Sequence, residues 1–268
     1  MKKLMIAASA ALCAAVGFAV ESSNIVGYSN KEAAQGKFII LGAQFDNVDG
    51  ARKLNGLVSG VEGVYYDDNN IFKTTAAQVQ IPNASTGGYD TYYYLTDGWF
   101  DDNGKDGYKP GWSDDWGVLV DDELIPAIAH WLRSTPGNAV ANVAGAVPDE
   151  ASVDVSCPVV FALRANAFPM PITLNSTTMT SADIVGVMYD DNNVFKTTAP
   201  QLQVPNPTTG GYDTYYYLTD GWYDDNGSDG YKPGWCDDWG VLVDTTIPVA
   251  QGFWTKGVTG AFTLTFTK

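Results

Sequence analysis

Between residues 67 and 121 stand ten aspartates and no glutamate: Asp67, Asp68, Asp90, Asp97, Asp101, Asp102, Asp106, Asp114, Asp115 and Asp121. The matching set recurs 123 residues later, from Asp190 to Asp244. A short carboxylate beside Gly and Asn has two chemistries open to it. It can close a turn by accepting from nearby amides, or it can hold a hard cation together with main-chain carbonyls. The best cation candidate is Asp102-Asn103-Gly104-Lys105-Asp106-Gly107, repeated as Asp225-Asn226-Gly227-Ser228-Asp229-Gly230. Carboxylates at the first and fifth places and Gly at the sixth suit a calcium loop. Gly at the third place, and Ser113 or Cys236 at the twelfth, do not. An EF-hand-type loop is therefore excluded, and a calcium site would be assembled from neighbouring turns, with Asp101, Asp102, Asp106, Asp224, Asp225 and Asp229 as the expected ligands. A hairpin turned by Asn-Gly or Asp-Gly needs no metal and competes with that reading.

Aromatic residues form the second signature. Each copy carries Tyr92, Tyr93, Tyr94, Trp99, Tyr108, Trp112 and Trp116, or Tyr215, Tyr216, Tyr217, Trp222, Tyr231, Trp235 and Trp239. On a strand Tyr92 and Tyr94 face one side and Tyr93 the other, so at least one of the three is expected to reach solvent. Aromatic faces beside carboxylates suit sugar rings and their hydroxyls. The expected ligand contacts are Tyr93, Trp99 and Trp112, with Tyr216, Trp222 and Trp235 in the second copy. Trp116 and Trp239 open the apolar Trp-Gly-Val-Leu-Val runs and are expected in the core.

Nucleophilic catalysis finds little support. The single histidine, His130, lies outside the duplicated block and is replaced by Phe253 at the matching place, so no histidine-based arrangement is doubled. The Asp-Thr/Ser-Gly motif of twofold aspartic proteases is missing: the chain has Asp90-Thr91-Tyr92 and Asp213-Thr214-Tyr215. Paired carboxylates for glycoside cleavage stay open, because their separation is a three-dimensional quantity.

Residues 1–19 combine Lys2 and Lys3, an apolar run from Leu4 to Phe18 and small residues at Gly17 and Ala19, the pattern of a cleaved export signal. The formal net charge is −16, and −18 without those two lysines. So acidic a chain repels nucleic acid and anionic lipid surfaces. No later apolar run reaches the ~18 residues of a membrane helix. After the signal only Cys157 and Cys236 remain, which in an exported chain predicts one disulfide between them. Two separate buried thiols are the alternative.

Residues 63–122 align without a gap on residues 186–245 and differ at positions 65, 71, 77, 79, 81, 84, 85, 100, 105, 113 and 122. The flanks correspond only in pattern. Short apolar or alternating runs such as "KFIILGAQF", "TYYYLTDGWF" and "FTLTFTK", separated by Asn-Gly, Asp-Gly, Gly-Gly and Pro-Gly, read as strands and tight turns. The expected fold is all-β: two tandem β-sandwich or barrel-like repeats of about 120 residues, over residues 20–143 and 144–268. An outer-membrane barrel is disfavoured, because aspartates crowd the central block on no consistent face.

The stretch "SSNIVGY" at residues 22–28, the strand "FIILGAQF" and the late "IPVAQGFW" resemble a group of functionally uncharacterised exported bacterial proteins with an Asn-x-Val-Gly-Tyr mature start and two β repeats. The first copy departs from that pattern, with Ala129-His130-Trp131 where Gly-Phe-Trp would stand. The resemblance implies export and β architecture, and no activity. The functional expectation is a non-enzymatic exported binding protein with two Asp- and aromatic-rich sites, its partner a polysaccharide or cell-surface component, assisted by calcium. A structural block of the cell envelope or extracellular matrix is the alternative, and a secreted glycoside hydrolase a minor one.

Overall fold

A computed structural model of the chain describes residues 26–46, 52–100, 107–223 and 230–268. The chain is all-β, built from several open sheets, none of them closed into a barrel. The barrel-like alternative is thereby set aside in favour of a sandwich-like arrangement. Residues 1–19, read as an export signal, lie outside the described residues. Among the described residues, no helix is long and apolar enough to cross a membrane.

The N-terminal part makes two sheets. One has the order β1-β8-β3, from β1 (Val26–Ala33), β8 (Ala139–Ala146) and β3 (Val58–Ser59). The other has the order β2-β7-β4-β5-β6, from β2 (Phe38–Gly42), β7 (Ala129–Arg133), β4 (Gln78–Asn83), β5 (Gly88–Phe100) and β6 (Gly107–Ser113). The C-terminal part makes a three-stranded sheet of β12 (Met179–Ala182), β18 (Phe262–Thr267) and β9 (Ser152–Cys157) in that order. Its five-stranded sheet runs β10-β17-β13-β14-β15, from β10 (Ala162–Ala165), β17 (Gly252–Lys256), β13 (Gln201–Pro205), β14 (Tyr212–Tyr223) and β15 (Gly230–Cys236). A short pair, β11 (Ile172–Thr173) with β16 (Thr246–Ile247), completes it. The expected boundary between residues 143 and 144 falls inside β8, which is held to β1 along its whole length, from Ala33↔Ala139 to Val26↔Ala146. The chain passes from one set of sheets to the other after Ala146 instead.

The two five-stranded sheets keep the same register where the sequence repeats. Gln78 pairs with Tyr93 and Tyr94 with Trp112; Gln201 pairs with Tyr216 and Tyr217 with Trp235. Both long strands bulge, between Leu95 and Gly98 and between Leu218 and Gly221. Glycine is required there: a Cβ on Gly98 would stand 2.7 Å from both the Leu119 side chain and Ser113 Oγ. The bulge opens the β5 edge to a returning segment, so that the Trp99 amide donates to Gly117 O at 2.7 Å and the Leu119 amide to Trp99 O at 2.7 Å.

The two parts meet reciprocally. The Gly42 amide donates to Ala250 O at 3.1 Å, and the Ala165 amide donates to Ala127 O at 3.0 Å. Ile40, Ala129, Leu163 and Ala165 are buried there beneath Trp131 and Trp254, whose rings lie 5.8 Å apart.

Candidate ligand groove

The aspartates come first, because most of them already have work. Asp67 accepts from the amides of Ile71 (2.9 Å) and Phe72 (2.8 Å), and Asp190 does the same for Val194 and Phe195, both at 2.9 Å. Each carboxylate thereby starts a single helical turn, Phe72–Thr75 or Phe195–Thr198, and a short side chain next to the backbone is well suited to that. Asp97 and Asp220 accept from the Tyr66 and Tyr189 amides at 2.8 Å. Asp114 Oδ1 takes the amides of Trp116 (2.8 Å) and Val118 (3.0 Å); Asp237 Oδ1 takes those of Trp239 and Val241, both at 2.9 Å. Bonds to a charged acceptor are stronger than neutral ones, so these carboxylates are fold devices.

The helical turns explain the tyrosines. Phe72 lies 5.2 Å from Tyr93, edge to face at 86°, and Phe195 sits the same way on Tyr216 at 5.2 Å and 87°. The sheet face expected to open onto solvent is therefore largely covered, and Tyr92, Tyr93, Tyr215 and Tyr216 are all buried, although Tyr215 and Tyr216 still reach the lining of a surface groove. Burial, with the Asp115 carboxylate beside it, raises the pKa of the Tyr93 phenol; burial and Asp238 do the same for Tyr216.

The tryptophans exchange their expected roles. Trp112 and Trp235 are core residues, 0% and 2% exposed, packed edge to face on Tyr94 (5.2 Å) and Tyr217 (5.4 Å). Their backbones are held by asparagines outside the duplicated alignment: Asn55 Oδ1 and Asn175 Oδ1 accept from the Trp112 and Trp235 amides, each at 2.8 Å. Trp116 and Trp239 are instead 77% exposed. The reason is local. Asp114-Asp115-Trp116-Gly117 is a tight turn, closed by the Gly117 amide on Asp114 O at 3.1 Å, and Gly117 has φ +78°. A turn lifts its third residue off the sheet, where a strand would have driven it in. Trp99 and Trp222 are 40% and 38% exposed.

In the C-terminal part these elements bound an open groove of about 520 Å³, lined by ten residues that include Tyr212, Asp213, Tyr215, Asp237, Asp238 and Trp239. Tyr212 and Trp239 expose their rings, and the carboxylates between them are fixed. Asn206 Nδ2 donates to both oxygens of Asp213, at 2.9 and 3.1 Å, and Lys196 Nζ stands 3.3 Å from Asp238. The same arrangement recurs around Asp90 and Asp115: Asn83 holds both oxygens of Asp90 at 2.9 Å, and Lys73 lies 3.3 Å from Asp115. The result is a ring face at the rim and a row of oriented acceptors in the floor. Ring faces beside oriented acceptors are the contacts that a polyhydroxylated, partly apolar molecule can use.

No protein-family model matches the chain, and no curated protein sequence does.

The expected metal ligands Asp101, Asp102, Asp106, Asp224, Asp225 and Asp229 lie outside the described residues. Among the described residues no three His, Cys, Asp or Glu side chains gather to hold an ion. The expected disulfide is replaced by two free, buried thiols. Cys157 belongs to the core cluster around Phe253 and Phe262, whereas Cys236 belongs to the cluster under Phe195. Burial raises the Cys236 thiol to about 12. His130 is a core residue at 1% exposure, and burial alone lowers it to about 4.

Proposed function

We propose that the chain is an exported, non-enzymatic binding protein made of two copies of one β-sandwich-like unit. Each copy presents a groove of carboxylates and aromatic rings to a saccharide of a polymer or cell surface. The observation that carries this reading is the pairing of Trp239 with its groove. An indole 77% exposed at the rim of a cleft lined by Asp213, Asp237 and Asp238 is left out of the core and has its face available for stacking on a ligand. Matched strand orders and registers in the two five-stranded sheets support the two-copy reading. With two sites on one chain, the second contact is intramolecular, and avidity for a repeating polymer exceeds the affinity of either site.

The test is tryptophan fluorescence titrated with soluble polysaccharides, for the parent chain and for Trp116→Ala, Trp239→Ala and the double variant. A saturable response that weakens in each single variant and vanishes in the double one supports the reading. A second reading, a rigid envelope or matrix block, is favoured by one observation: Asp67, Asp97 and Asp114 and their counterparts serve the chain's own amides. It prevails if no polysaccharide changes the fluorescence.

A further inference from the structure

Eleven positions separate the two copies of the duplicated block, and of the ten groove-lining positions only one is among them. Thr245 lines the groove of the C-terminal copy, and Asp122 occupies the matching place in the N-terminal copy. The exchange reverses a hydrogen bond. Thr245 Oγ1 donates to the Tyr215 hydroxyl at 3.0 Å, so the phenol's own proton stays free to be donated into the groove. In the N-terminal copy the Tyr92 hydroxyl instead donates to Asp122 Oδ2, so its proton is already used. Burial and that bond both hold the Tyr92 phenol protonated, raising its pKa above the ordinary tyrosine value.

The two sites thus differ in charge and in donors. The C-terminal groove offers a phenolic donor among acceptors, which complements the hydroxyl of a neutral sugar. The N-terminal site gains a carboxylate and loses that donor, which complements an ammonium group. We infer that the two grooves are of different specificity: the site at Thr245 takes neutral saccharides, and the site at Asp122 takes saccharides carrying a protonated amine. Residues 122 and 245 are the specificity determinants. This inference rests on the saccharide-binding reading above.

The experiment is ¹⁹F NMR of the full chain labelled with 5-fluorotryptophan, with the Trp116 and Trp239 signals assigned through Trp116→Phe and Trp239→Phe. Two hexamers with the same β-1,4 backbone serve as probes at pH 5.5: neutral cellohexaose, and a fully deacetylated chitosan hexamer bearing protonated amines. Trp239 should respond to cellohexaose at a concentration about five- to tenfold lower than Trp116 does, and the order should reverse for the chitosan hexamer. Asp122→Thr and Thr245→Asp should exchange these preferences. Each variant carries the residue the other copy already accommodates, and unchanged Trp112 and Trp235 signals report an intact core. If both rim signals respond but the exchanges leave the preferences where they were, the specificity inference is overturned while saccharide binding stands. If neither rim signal moves with either hexamer, the binding reading fails and this inference falls with it.

Discussion

The amide of Phe72 donates to Oδ2 of Asp67 at 2.8 Å, and the amide of Phe195 makes the same bond to Asp190 at 2.9 Å. Each carboxylate thus seats a fully buried phenylalanine on the outer face of a five-stranded sheet. Asp67→Ala removes two charge-assisted bonds and loosens that seat, and should cost about 2–3 kcal/mol in urea denaturation. Asp68→Ala, exposed one residue along, should stay within about 0.5 kcal/mol of the parent.

Trp112 and Trp116 are separated by one turn and have opposite duties. Trp112→Ala should lower stability by about 3–5 kcal/mol, because it empties a packed core site. Trp116→Ala should change it by less than about 0.5 kcal/mol while weakening the fluorescence response to saccharides. A polysaccharide response untouched by Trp116→Ala and Trp239→Ala together would place the ligand elsewhere.

His130 gives the chain an acid-sensitive contribution. Its folded value of about 4 lies below its ordinary 6.5, so between those limits the unfolded chain binds more protons. Stability from this group is complete above pH 6.5, is lost as pH falls, and is gone below about 4; the full amplitude is about 3 kcal/mol. His130→Phe, the residue at the matching place in the second copy, should remove this slope. Comparing the two chains by thermal melts from pH 7 to 4 isolates it from the carboxylates common to both.

Ser113 and Cys236 occupy matching core positions with different success. The Ser113 hydroxyl is buried without a partner, whereas Cys236 is a buried thiol among apolar neighbours. Ser113→Cys should therefore stabilise the chain by about 1 kcal/mol, and Cys236→Ser should destabilise it by about 1–3 kcal/mol. Peptide mass mapping after alkylation of the unfolded chain should find both Cys157 and Cys236 as free thiols, and native labelling of the two should be slow.

Much of the fold is legible in the residues. Alternation in "FTLTFTK" puts Phe262, Leu264 and Phe266 inside and the threonines outward, and β18 has that burial pattern. Of the turn-forming dipeptides, the Gly-Gly pairs do separate strands, with positive φ at Gly87 and Gly210, whereas Asp97-Gly98 and Pro110-Gly111 lie inside β5 and β6 and their counterparts inside β14 and β15. The groove was only half legible. Its residue types, Asp and aromatic, stand in the sequence, but Trp112 and Trp116 differ in fate through contacts that composition does not encode. Asn55 and Asn175 hold the buried tryptophans from 57 and 60 residues away. No local pattern announces them.

The amino-acid sequence by itself determined the strand-and-turn character of the chain, its acidity and the doubling of its central block, because each depends on neighbours along the chain or on simple counting. Tertiary structure decided which face of each sheet is covered, whether Cys157 and Cys236 meet, and which indole reaches water. Those outcomes depend on segments distant in sequence: a helical turn laid over Tyr93, a returning segment paired to Trp99, and a tight turn that lifts Trp116 off the sheet.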